Sequence, residues 1–181
     1  MATVTRPAHD TPRRAQQPPN LSFGPVAPAI QELRDALGAD RVVSSMAVRE
    51  HHGRDEGHHD GLPPEAVAFA RSTDDVATIV TACARHRVPV IPFGAGTSLE
   101  GGIGALHGGI CIDLSGLERI VEVNVEDLDC LVEAGVHRVA LNDRLKRDGL
   151  FCPIDPGADA TFGGMASTRA SGTNTLSRIV P

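Results

Sequence analysis

The stretch Pro92-Phe-Gly-Ala-Gly-Thr-Ser-Leu-Glu-Gly-Gly-Ile-Gly104 decides how the rest of the chain is read. From position 94 to 109 seven residues are glycine: 94, 96, 101, 102, 104, 108 and 109. Glycine admits positive φ and lets backbone N–H groups come close to a ligand. A nest of such amides suits a phosphate or diphosphate. Thr97 and Ser98 add hydroxyl donors. A Walker-type loop would end in Gly-Lys-Ser/Thr, and this stretch holds no lysine. A nicotinamide-dinucleotide fingerprint starting at Gly94 and Gly96 would need glycine where Leu99 stands. The other alternative is a plain glycine turn between strands. Ordering one glycine costs about 0.5–1 kcal/mol, so seven of them favour a loop that holds a ligand.

Working outward, Val88 to Ile91 reads as a strand feeding this loop, and Ala66 to Ala70 as an earlier one. Between them Ser72 and Asp75 form a capping box, and Val76, Ile79, Val80 and Cys83 share one helical face. Strand, helix, strand is the pattern of a parallel crossover. Upstream, Ile30, Leu33 and Leu37 have helical spacing, with Gly38 as a stop. Residues 49–64 read as a polar, solvated loop holding His51, His52, His58 and His59. Adjacent histidines in an extended chain point opposite ways, so no metal site is expected there. Downstream, Ile110 to Asp113 is a strand. Ile120, Val121, Val123 and Val125 interleave with Glu122 and Asn124, and Leu128 to Val136 continue as a further strand after a turn at 124–127. A short helix is expected from about His137 to Arg147, with Leu141 and Leu145 one turn apart and Gly149 as its cap. The fold class is therefore α+β: a small parallel β-α-β unit followed by a mixed or antiparallel sheet.

Composition narrows the function. The 181 residues are 41% hydrophobic and 22% charged, enough for a packed core. The net charge is -6, which argues against a nucleic-acid binder that must replace counterions. There is no Trp or Tyr and only five Phe, too few for a stacking platform. No apolar run approaches 18 residues, so no transmembrane segment is expected. Cys83, Cys111, Cys130 and Cys152 lie far apart and read as reduced thiols. Residues 1–25 are rich in Pro, Thr, Gln and Arg and read as a disordered leader.

A second loop shares the chemistry of the first. Pro153-Ile-Asp-Pro-Gly-Ala-Asp-Ala-Thr-Phe-Gly-Gly-Met-Ala-Ser-Thr-Arg-Ala-Ser-Gly-Thr-Asn174 carries four glycines and five hydroxyl side chains. Its small residues leave room for an extended ligand against the backbone. Together with Val48-Arg-Glu-His-His-Gly-Arg-Asp-Glu56, the two loops resemble the vanillyl-alcohol-oxidase (PCMH-type) family of FAD-binding oxidoreductases. Within that family the group of D-lactate dehydrogenase (cytochrome) and the glycolate oxidase large subunit is most similar. The resemblance covers roughly residues 28 to 174.

The resemblance implies a PCMH-type FAD-binding domain over 26–181. It implies that the first loop wraps the FAD diphosphate through Pro92, Gly94, Ala95, Gly96, Thr97, Ser98 and Gly102. The second would lie along the diphosphate and flavin through Pro156, Gly157, Ala160, Thr161, Gly163, Gly164, Thr168 and Ser171. Some relatives attach flavin to a histidine or cysteine in the first loop; Pro92 to Gly104 holds neither, so non-covalent FAD is expected. The implied reaction moves hydride from a 2-hydroxy acid, such as D-lactate or glycolate, to the flavin N5, with an electron acceptor as second partner. The expected compartment is the cytoplasm, with peripheral attachment to a membrane as an alternative. After Asn174 the family continues with an Arg-Tyr-Gly-type segment, whereas this chain reads Thr175-Leu-Ser-Arg-Ile-Val-Pro181. The expectation is an incomplete domain without its substrate cap, and no catalytic residue or metal ligand is assigned within it.

Overall fold

A computed structural model describes residues 22–171. The elements are α1 (Val26–Leu37), β1 (Val42–Val43), α2 (Met46–His52), β2 (Ala66–Phe69), α3 (Thr73–His86), β3 (Val90–Phe93), β4 (Ile110–Asp113), β5 (Ile120–Asn124), β6 (Asp129–Val132), α4 (Arg138–Leu145) and α5 (Phe162–Thr168). The expected leader lies mostly outside the described residues.

The expected crossover β2–α3–β3 is present, but its two strands are not neighbours. The sheet order is β1-β2-β4-β3, with β4 inserted in parallel between β2 and β3 and β1 antiparallel at the edge. Ala66 pairs with Ile110 on one side of β4, and Val90 pairs with the same Ile110 on the other. Ile110 to Asp113 thus belongs to the parallel sheet rather than to the later one. The period there could not show this, because a central strand buried on both faces loses its alternation. All four residues of β4 are buried.

The two faces of the sheet have different covers. Ala66 and Ala68 of β2 and Ile110 and Ile112 of β4 face α1 and α3, packing on Leu33, Ile79 and Cys83. Alanines in β2 let the helices lie close. On α3 Ile79 and Cys83 are buried and Val76 packs against the same core, as expected, whereas Val80 stays 46% exposed and Ala82 is buried in its stead. Ser72 caps α3 by accepting from the Asp75 amide at 3.1 Å. The reciprocal half of the box is diverted: the Asp75 carboxylate accepts instead from the Arg71 amide (2.8 Å) and the Arg41 guanidinium (2.5 Å). On the opposite face Val67, Phe93 and Cys111 pack with Val48 of α2 and Ile103 of the first glycine loop.

β5 and β6 form a separate antiparallel hairpin with one irregular step between Ile120 and Glu122. Its inner side packs on Val136, Leu141 and Leu145, with Cys130, Cys152 and Phe162 at the margin. Its other side leaves Val121, Leu128 and Leu131 exposed. Gly149 closes the helical segment after α4 at φ 71, as the spacing suggested.

Candidate functional site

The first glycine loop leaves the C-terminal end of β3, the end of a parallel sheet at which ligands collect. Pro92 sits within β3, which is an edge strand and so tolerates a missing amide. Gly96 has φ 70 and Gly101 has φ 71. A side chain at Gly96 would also meet the Phe93 ring at 3.0 Å. Among the described residues, the amides of Ala95, Gly96, Thr97 and Gly102 are taken by no protein acceptor. Nothing lies within 4 Å of the position a Cβ on Gly102 would fill. Free donors and open space beside them fit the diphosphate of an FAD. Ser98 is engaged differently: its hydroxyl donates to Glu100, whose carboxylate also accepts from the Leu99 amide at 3.1 Å. The bond from Ser98 is the main reason the Glu100 carboxyl lies below its ordinary range. Gly108 and Gly109 serve the protein instead, since side chains there would strike Glu65 and the Pro89 carbonyl. Part of the glycine excess is thus structural.

The second glycine loop is not all loop. Residues 162–168 form α5, which the sequence reading missed. Thr161 is its cap, 1% exposed, with its hydroxyl accepting from the Gly164 amide at 3.3 Å. The Phe162 amide donates to the Val136 carbonyl (2.9 Å) and the Gly163 amide to the Ala134 carbonyl (2.8 Å). A Cβ on Gly163 would sit 2.9 Å from the Ala134 Cβ. Glycine is therefore needed at 163 for contact with the 134–138 segment. The Thr168 hydroxyl donates to the Gly164 carbonyl within the helix. Pro156 and Gly157 lie on an exposed turn, with Gly157 at φ 84, and Ala160 is half-buried beside it. Ser171 is exposed and is the last described residue.

The structure brings the two loops together at one point. A Cβ on Gly94 would collide with the Thr161 hydroxyl. No spacing in the sequence predicts that contact, because 67 positions (161 − 94) separate the two residues.

The histidine segment departs most from expectation. Residues 46–52 are helical, and His52 is 5% exposed. Its Nε2 lies 2.7 Å from the Asp113 carboxylate and its Nδ1 2.8 Å from the Val48 carbonyl. Burial raises the Asp113 carboxyl, but the bonds from His52 and Ser115 outweigh it and hold the carboxyl below its ordinary value. The Phe93 ring stands 4.4 Å from the His52 ring, so the pair lies directly under the start of the first loop. The sequence hid this because the residues after Val48, which anchors α2, are polar, and Asp113 is 61 positions from His52. His58 and His59 do remain exposed, with rings 4.2 Å apart. No group of three or more metal-ligating side chains converges among the described residues. His137 lies 3.2 Å from the exposed Asp159 carboxylate.

The thiols are free. Burial pushes Cys83 up to about 11 and Cys111 up to about 12, which keeps both unreactive. Cys152 is half-buried against the hairpin. No helix among the described residues is long and apolar enough to cross a membrane.

Comparison with known proteins agrees with this geometry. A family described as FAD binding domain matches residues 64–178. The chain is 48% identical over 147 residues to a probable mitochondrial D-lactate dehydrogenase of Danio rerio, covering 81% of this chain and 30% of that protein. It is 39% identical to the mitochondrial D-lactate dehydrogenase [cytochrome] of Arabidopsis thaliana, covering 80% and 26%. It is 35% identical to the glycolate oxidase subunit GlcD of Bacillus subtilis, covering 81% and 32%. The chain thus spans about a third or less of the length of these relatives. Among solved structures, an alkyldihydroxyacetonephosphate synthase superposes with TM-score 0.74 at 20% identity, over 87% of this chain and 35% of that one. A p-cresol methylhydroxylase superposes with TM-score 0.68 at 23% identity, over 80% and 29%. The solved structures share the fold, and with 115 of its residues (178 − 64 + 1) matched by one family, well over half of the sequence, the chain belongs to the FAD binding domain family.

Proposed function

We propose that this chain is the FAD-binding part of an oxidoreductase acting on 2-hydroxy acids such as D-lactate or glycolate. The observation that carries the reading is the junction of the two glycine loops at Gly94 and Thr161, next to a row of unclaimed amides. The names of the relatives supply the substrate class. Bound FAD would supply a two-electron acceptor for the hydride of the hydroxyl-bearing carbon. The protein's own residues bind and orient. The amides of Ala95, Gly96, Thr97 and Gly102 would donate to the diphosphate oxygens. Gly94 keeps the first loop against Thr161, and Gly163 lets the second loop approach the 134–138 segment. Pro92, Ser98, Pro156, Gly157, Ala160, Gly164, Thr168 and Ser171 would complete the contacts with the cofactor. Pro92 to Gly104 contains neither histidine nor cysteine, which supports non-covalent FAD. Four free thiols, two of them buried, support a reducing, cytoplasm-type compartment.

The test is reconstitution of the 181-residue chain with FAD, followed by equilibrium dialysis and absorbance at about 450 nm, where oxidised flavin absorbs. Saturable uptake of one FAD per chain, released on denaturation, is the expected result. Flavin that stays with the denatured chain would contradict the non-covalent reading. Anaerobic addition of D-lactate or glycolate then reads the reaction as bleaching of that band. A chain that binds FAD and leaves it oxidised with every hydroxy acid fits a cofactor-binding role alone.

A further inference from the structure

We infer that the segment 53–57, which lies outside the residues matched by the family, is a clasp that sets the first glycine loop for the diphosphate, with Asp55 as its positioning residue. The inference rests on the FAD reading above. Asp55 is buried, and its two carboxylate oxygens divide the work. Oδ1 accepts from the Gly57 amide at 2.9 Å, which closes the clasp on itself. Oδ2 accepts from the Gly101 amide at 2.8 Å, which reaches across to the glycine loop. The Glu56 amide donates to the Ser98 carbonyl at 3.1 Å. Gly57 lies so close that a Cβ there would stand 2.9 Å from the Leu99 carbonyl oxygen. Three successive residues of the clasp therefore engage positions 98, 99 and 101.

These ties fall beside the free amides and not on them. The Gly101 turn, at φ 71, is held from outside, while Ala95, Gly96, Thr97 and Gly102 stay open. A loop of this composition would otherwise lose conformational freedom when its ligand arrives, and fixing a backbone residue costs about 1–2 kcal/mol. Holding the turn in advance moves that cost to folding. The clasp is itself anchored: three residues earlier His52 is held by Asp113 of β4, and the Leu62 amide donates to the Gly53 carbonyl at 2.9 Å.

Charge and position predict opposite outcomes for Asp55. A carboxylate beside a diphosphate site repels the ligand, so its charge alone should weaken binding. Its hydrogen bonds should strengthen binding by ordering the loop. The sign of the effect on neutralising Asp55 therefore separates the two roles.

The experiment compares the parent 181-residue chain with Asp55→Ala and Asp55→Asn. FAD affinity is read by equilibrium dialysis, and amide hydrogen exchange at Gly57 and Gly101 is read without FAD. Asp55→Ala is expected to weaken FAD binding about ten-fold and to accelerate Gly101 exchange by a similar factor. Asp55→Asn keeps one acceptor oxygen and should fall between parent and Ala. Equal or tighter FAD binding by folded Asp55→Ala overturns the clasp, as does unchanged exchange at Gly101. If Asp55→Ala does not fold, Asp55→Asn decides: weaker binding supports the clasp and tighter binding overturns it. A parent chain that takes up no FAD refutes the function reading, whereas faster Gly101 exchange in the variant still supports the clasp as the device that orders this loop.

Discussion

The two glycine loops look alike in sequence and are held in different ways. In the first, glycine supplies backbone shape: Gly96 and Gly101 have positive φ, and side chains from elsewhere brace the turn. In the second, glycine supplies nearness: Gly163 lies in a helical turn, and the absence of a Cβ lets that turn touch Ala134. The lesson is that glycine content marks a place where backbone matters without saying whether conformation or proximity is the reason.

The largest effect expected is at the floor of the first loop. Asp113→Ala strips the buried His52 of its Nε2 partner and leaves it only the Val48 carbonyl at Nδ1, a loss of about 3–5 kcal/mol in urea unfolding. Acid titration gives a milder version. The folded Asp113 carboxyl lies below its ordinary value of 3.8, so its stabilisation is present above that pH and is lost as pH falls through the lower folded value. Asp113→Asn should remove this share of the acid dependence, and an acid limb identical to the parent's would argue against the pairing.

Next comes Gly96→Val, which tests shape in the first loop. A β-branched residue resists positive φ, and its Cβ would press on the Phe93 ring. FAD binding should fall at least about 100-fold in equilibrium dialysis, while α3 keeps its helical circular-dichroism signal. Normal FAD binding by this variant would remove the loop from the site.

Gly163→Ala tests nearness in the second loop and should be gentler. Alanine suits a helix, but its methyl would stand 2.9 Å from the Ala134 Cβ. A net loss of about 1–2 kcal/mol is expected, because overpacking outweighs the gain in propensity. A stabilised variant would show that the 134–138 segment yields easily.

Gly102→Ala closes the series. The added methyl meets nothing within 4 Å, so stability should change by less than about 0.5 kcal/mol. A drop in FAD affinity without a drop in stability would put the ligand in that open space.

The parts legible in the sequence are those whose causes are local. The α3 cap at Ser72, the strands around residues 66–69 and 110–113 and the glycine turn at 149 follow from neighbours in the chain. The composition of both loops was legible too. What escaped depends on distant partners. α5 reads as coil because Gly-Gly-Met-Ala-Ser-Thr has little helical propensity, and it is steadied by carbonyls of Ala134 and Val136. His52 reads as solvated until Asp113 is placed beside it. The insertion of β4 between β2 and β3 leaves no mark on any single stretch.

That insertion has a consequence for the order in which the protein folds. While the chain emerges from the ribosome, β2 and β3 have nothing to pair with each other across. In the finished sheet they stand roughly two strand spacings apart, near 10 Å, and residues 110–113 fill the gap between them. The glycine loop is the tether that delivers this strand, so its own geometry is settled only when the sheet is completed. Loop closure of this kind is a slow, non-local step. Anything that stiffens residues 94–109 in the wrong shape therefore acts during synthesis, before there is a site to damage. Substitutions there should lower the yield of soluble protein out of proportion to the stability of whatever fraction folds.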